Sequence, residues 1–155
     1  MLQRAAVILL ACTAISRSAD AQIPTGNVFA GDGFFSCCHP QGMTWQIGGG
    51  GEIPVARSVS AGGDIGLLGS NSFLLSFNGW YHFSRHDPRQ PQFFLTGGLG
   101  VASERDSATG GANFGGGVDF WLAERRGVRI EIRDQLLEEY GTTHLVMARI
   151  GFIFR

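Results

Sequence analysis

The chain has 155 residues, a formal net charge of −1 and only 16% charged side chains, so no basic surface is available for nucleic acid. That length suits one domain. Its 24 glycines are roughly twice the ordinary share, but they follow no Gly-X-Y period, which excludes collagen.

The first residues read as an export signal over 1–21. Arg4 supplies the positive end, Ala5 to Ile15 the apolar stretch, and Ala19-Asp20-Ala21 a small-residue cleavage site before Gln22. The apolar stretch is far short of the ~20 residues a spanning helix needs. Leu9-Leu10-Ala11-Cys12 resembles a lipobox, but cutting there leaves a very short apolar stretch after Arg4, which favours cleavage after Ala21. The mature domain is then 22–155.

From there apolar and polar residues alternate in a series of segments, the signature of strands with two unlike faces. Asn27–Ser36 is a weakly alternating first strand, followed by a loop at Cys37-Cys38-His39-Pro40-Gln41-Gly42. Met43–Pro54 and Ser58–Leu68 follow, then a tight turn at Gly69-Ser70-Asn71 and a fourth strand over Ser72–Phe83. After the proline-rich connection Ser84–Pro91, Gln92–Ala102 resumes the pattern. Ser103–Ala112 reads as a polar loop, and Asn113–Leu122, Gly127–Leu137 and Thr143–Arg155 complete the series. Eight strands of about ten to twelve residues fit the length a tilted strand needs to cross a bilayer, whereas soluble strands average about five to six.

The last two strands indicate which face points where. Val128, Ile130 and Ile132 alternate with Arg129, Glu131 and Arg133, so one face is oily and the other wholly charged. Val146, Ala148, Ile150, Phe152 and Phe154 form an apolar face opposite one that carries Arg149 and Gly151. An oily face suits lipid and a charged face a closed lumen. Glycines on the polar faces (Gly48, Gly50, Gly98, Gly100, Gly115, Gly117) suit a crowded interior and favour that orientation. An even strand count puts both termini on one side, the periplasmic side in bacterial barrels. The fold expected is all-β: an eight-stranded, antiparallel, up-and-down transmembrane β-barrel preceded by a signal peptide. The reverse orientation, apolar faces inward, would give a secreted or periplasmic lipocalin-like barrel holding an apolar ligand.

In its signal peptide, glycine-rich alternating strands, penultimate G-V-R-I-E-I-R and terminal R-I-G-F-I-F-R, the chain resembles the small outer-membrane β-barrels of the OmpA- and OmpX-like group. The resemblance implies an outer-membrane location, contact with outer-membrane lipid, and passage past periplasmic chaperones to the barrel assembly machinery. It also implies an assembly signal in the terminal strand, here Ile150, Phe152 and Phe154, with Arg155 one residue beyond the usual aromatic end. No peptidoglycan-binding domain is expected after the barrel.

Candidate site residues cluster on the inward face: Glu52, Asp64, Asp119, Arg129, Glu131, Arg133 and Arg149. They read either as an ion-conducting lumen or as a packed polar plug. An eight-stranded barrel is just wide enough for side chains to fill, and buried charges must pair, which favours the plug. Cys37-Cys38-His39 is a weak metal signal, and in an oxidising compartment adjacent cysteines read first as a disulfide or as loop residues. His82 and Ser84 raise a third possibility, an outer-membrane lipid A deacylase, but no acid stands at a fixed offset from them. Trp45, Tyr81, Phe83, Phe34 and Phe35 read as aromatic girdles. The expectation is a non-enzymatic barrel with a structural, small-pore or loop-binding role, without catalytic residues, metal or cofactor.

Overall fold

The computed structural model describes residues 23–36, 42–83, 90–104, 107–138 and 142–155; the signal segment, Cys37-Cys38-His39 and Ser84 lie outside them. The strands are β1 Thr25–Ser36, β2 Met43–Ala56, β3 Val59–Leu68, β4 Ser72–His82, β5 Gln92–Glu104, β6 Ser107–Ala123, β7 Arg126–Glu138 and β8 Thr142–Phe154. Each pairs antiparallel with the next, and β8 returns to β1 from Gly26↔Phe154 to Ser36↔His144, closing the barrel. Short connections enforce that order, since a hairpin leaves its two strands as neighbours. Gly69 makes the β3–β4 turn in the left-handed region (φ 59°), where a side chain is disfavoured.

The hairpin β5–β6 is longer than its sequence pattern suggests. Most of the polar stretch Ser103–Ala112, expected as a loop, is paired strand, up to Glu104↔Ser107. Backbone pairing continues there after the apolar alternation has ended. Two register shifts, at Pro54/Ala56 and Trp121/Ala123, both sit at the end of the barrel that holds the termini. Proline in a sheet is tolerated at such an irregularity because it has no N–H for the ladder.

The apolar faces point out. Val28, Ile47, Ile65, Phe77, Leu99, Phe114, Ile132 and Ile150 are all exposed, and Trp45, Tyr81, Phe83 and Phe34 stand among them on the outer surface. The seven charged residues of the predicted inward face are buried. This is the reverse of a lipocalin-like barrel, so that alternative is set aside. Phe35 is a correction: neighbouring residues of a strand face opposite ways, and with Phe34 outward Phe35 turns in, against Leu68, Leu145 and Met147.

Inward glycines mark where strand backbones and lumen side chains crowd together. A Cβ at Gly98 would overlap the Phe77 carbonyl oxygen and lie 2.6 Å from Asn78 Oδ1. A Cβ at the outward-facing Gly79 would meet nothing nearer than 3.8 Å. Gly98→Val is therefore expected to cost about 1–3 kcal/mol or more through overpacking. Gly79→Val should fold as the parent does. Urea unfolding midpoints in detergent micelles compare the two; equal losses would mean that lumen crowding is not what selects glycine.

Candidate functional site

Three side chains on β7 organise the lumen. Period-two alternation turns Arg129, Glu131 and Arg133 inward together, and the register sets Arg129 opposite Asp119 of β6 and Glu131 opposite Arg149 of β8. Arg129 donates from Nε to Asp119 Oδ1 (2.7 Å) and from Nη2 to Asp119 Oδ2 (2.8 Å), a fork-on-fork pair. The same Nη2 reaches Glu52 Oε1 across the lumen at 2.9 Å. Arg133 donates to Asp64 Oδ2 (2.6 Å) and Glu131 Oε1 (2.7 Å), while Arg149 donates to Glu131 Oε2 (2.7 Å). All seven charged residues anticipated on the inward face thus lie in one packed layer.

Of their supporting groups the sequence names only His82, and in a different role. Asn78 Nδ2 donates to Asp64 Oδ2 at 3.0 Å, and His82 Nε2 lies 3.1 Å from Glu52 Oε2. Four carboxylates face three guanidiniums, and His82 adds a further partner for Glu52. The Arg129 guanidinium lies 4.4 Å from the centre of the Phe94 ring and that of Arg149 lies 4.3 Å from Phe29, so each of these two cations is covered by a ring on one face as well as paired. The inward parity of Asn78, His82, Phe29 and Phe94 was legible from the sequence; which guanidinium or carboxylate each would meet was not.

Above and below this layer the lumen changes character. Toward the end away from the termini, Leu68, Leu145 and Met147 pack with Phe35 into an apolar layer. At the terminal end Trp121 Nε1 donates to Gln92 Oε1 (3.3 Å), and the Arg155 guanidinium stacks 4.2 Å over the Trp121 ring. Arg155 also donates to Thr25 Oγ1 (3.4 Å), and its backbone N–H bonds to the Arg125 carbonyl. The residue beyond the terminal aromatic is therefore a latch across that mouth. A cavity of about 10 Å³ between Asn27, Phe29, Arg129, Glu131 and Arg149 has room for about one water.

His82, weighed as a catalytic base, points into the lumen and is engaged with Glu52, which removes it from any lipid-facing chemistry. Among the described residues no cluster of His, Cys, Asp and Glu is arranged to hold a metal ion. Ile150, Phe152 and Phe154 of the terminal strand lie exposed on the outer wall.

Arg129→Met leaves Asp119 and Glu52 buried without their cation and is expected to cost about 3–5 kcal/mol. The double variant Arg129→Met/Asp119→Asn should recover part of that loss. Unfolding free energies of the parent, the two singles and the double measure the coupling; additive losses would contradict a buried network.

No protein-family model matches the chain, and no curated protein does. Solved structures do match it. The N-terminal β-barrel domain of OprF from Pseudomonas aeruginosa is 17% identical, with a TM-score of 0.65 over 86% of this chain and 98% of that one. Neisserial surface protein A is 13% identical, with a TM-score of 0.64 over 84% and 96%. The outer membrane protein OprG of P. aeruginosa is 9% identical, with a TM-score of 0.60 over 85% and 96%. At these identities the likeness is one of fold: this chain has the closed eight-stranded architecture of small outer-membrane barrels.

Proposed function

We propose that the chain resides in the outer membrane, with its termini in the periplasm, as a structural barrel whose lumen neither conducts nor catalyses. The observation that carries this reading is the filled interior. Among the described residues, three layers (apolar, ion-paired, and the Trp121–Arg155 latch) are stacked along the lumen, and the cavity within the ion-paired layer is about 10 Å³. An ion path needs a continuous column of water, and a plug of densely packed, cross-linked ion pairs offers none. The exposed apolar wall supports the membrane setting, since lipid is the solvent in which such a wall is stable. Outer-membrane lipid is then the constant partner, and periplasmic chaperones and the barrel assembly machinery are partners in transit.

Planar bilayers containing the refolded chain are expected to show no discrete current steps. Reproducible unitary steps from a preparation that shifts on gels between unboiled and boiled samples would overturn the sealed-lumen reading. For assembly, Phe154→Ala should lower the amount reaching the outer membrane of expressing cells severalfold, with refolding into detergent nearly unchanged. Equal loss in both assays would make Phe154 a packing residue rather than a recognition signal.

A further inference from the structure

The outer wall of β7, β8 and β1 carries a polar set at the end of the barrel away from the termini. His144 of β8 faces outward, and its Nδ1 lies 2.7 Å from Asp134 Oδ2 on β7. The imidazole side chain is 42% exposed and the carboxylate side chain 14%, so the acid is shielded and the ring is open to what lies outside. The other carboxylate oxygen, Asp134 Oδ1, is buried with no hydrogen-bond partner among the described residues, so the carboxylate is turned to the imidazole through Oδ2. On the opposite side of β8 the register sets Ser36, exposed at the end of β1, directly across from His144. Directly opposed residues in an antiparallel pair share a face, with Cβ atoms about 4.5–5.5 Å apart, a spacing within which a serine hydroxyl can turn to an imidazole nitrogen.

We infer that Ser36, His144 and Asp134 form a nucleophile, base and acid for hydrolysis of acyl esters presented by the surrounding lipid. Such sets are recognised by geometry and role, not by chain order, and their hydrogen bonds are often loose until substrate is bound. Ser36 Oγ attacks the ester carbonyl while His144 Nε2 takes the hydroxyl proton and passes it to the departing alcohol oxygen. Water then opens the acyl-serine, its proton travelling by the same nitrogen, to give a fatty acid and an alcohol. Asp134 is a positioning residue: it accepts the Nδ1 proton's hydrogen bond, fixing the tautomer that leaves Nε2 free.

The substrate class follows from the setting. Below the set, largely on the same β1–β8 wall, lies an apolar trough of about 610 Å³ lined by Val28, Ala30, Ile47, Val128, Ile150 and Phe152. Ala30 is six residues from Ser36, about 20 Å along the strand at roughly 3.3 Å per residue, comparable to a long fatty acyl chain. Asp32, a further carboxylate on this wall among the described residues, sits between them and is exposed. An acyl chain seated in the trough would extend toward the rim, where its ester meets the hydroxyl. This goes beyond the sealed-lumen reading and is independent of the lumen.

The test treats the refolded full chain in detergent micelles with a lipophilic fluorophosphonate, maps the adduct by peptide mass spectrometry, and follows hydrolysis of p-nitrophenyl decanoate. Expected are an adduct on Ser36, its loss in Ser36→Ala and His144→Ala, and a fall in hydrolysis of roughly 100-fold or more in both. Asp134→Asn should lower kcat by roughly tenfold or more with KM nearly unchanged, because the imidazole loses the acceptor that fixes its tautomer. A purely structural pair would leave kcat unchanged in the folded variant. Each variant is first shown to be folded by its heat-dependent gel shift. No adduct on Ser36 in folded parent protein, an adduct that survives His144→Ala, or hydrolysis indifferent to Ser36→Ala overturns the proposal, whatever the bilayer currents show.

Discussion

The structure depends on the seam between β1 and β8. A sheet that faces lipid cannot leave an edge, because hydrocarbon offers no partner to a free N–H or C=O. Closure from Gly26↔Phe154 to Ser36↔His144 removes that edge and makes the barrel's diameter a fixed quantity. Everything inside must then fit a tube of eight strands, which is why glycine recurs on the inward faces and why Gly98 and Asn78 can share so little space. Outside, there is no such limit, and Phe77, Phe93 and Leu99 stand free.

The same confinement explains the ion-pair layer. A guanidinium withdrawn from water is costly unless its donors and charge are met in place. Arg129 meets the requirement with Asp119 beside it and Glu52 across the lumen, and Arg133 with Glu131 and Asp64. Bonds that cross from β7 to β2 and β3 tie together strands far apart in sequence. They therefore hold the cross-section as well as the charge balance. The Phe29 and Phe94 rings cover one face each of Arg149 and Arg129.

Much of this was legible in the sequence, because the period-two pattern carries the orientation of every side chain once one strand's inside is known. Arg129, Glu131 and Arg133 alternate with Val128, Ile130 and Ile132, a pattern that by itself fits either orientation, and the glycines of the polar faces (Gly48, Gly50, Gly98, Gly100, Gly115, Gly117) turned the barrel the right way out. Three things were not legible, each for a physical reason. Strand ends beyond the lipid lose the apolar alternation while keeping backbone pairing, so Ser103–Ala112 read as loop. Phe34 and Phe35 are both aromatic, and only their parity, not their chemistry, separates wall from lumen. Contacts across the barrel, such as His82 with Glu52, depend on registers that accumulate over several hairpins, and no local spacing encodes them.

That last point governs where chemistry is to be sought on such a fold. Sequence spacing suggested His82 and Ser84 as a catalytic pair, but parity sends His82 into the plug, where a carboxylate already holds it. A nucleophile and its base need substrate access more than they need closeness in the chain. In a barrel whose interior is filled, access exists only on the wall and at the rims. Among the described residues the outward histidine that a carboxylate orients is His144; the β7–β8 hairpin sets Asp134 on one side of it and the closing seam sets Ser36 of the first strand on the other. The closure that removes the sheet's free edge is thus also what brings the first strand's serine beside the last strand's histidine, so one constraint both fixes the packed interior and creates the exterior juxtaposition.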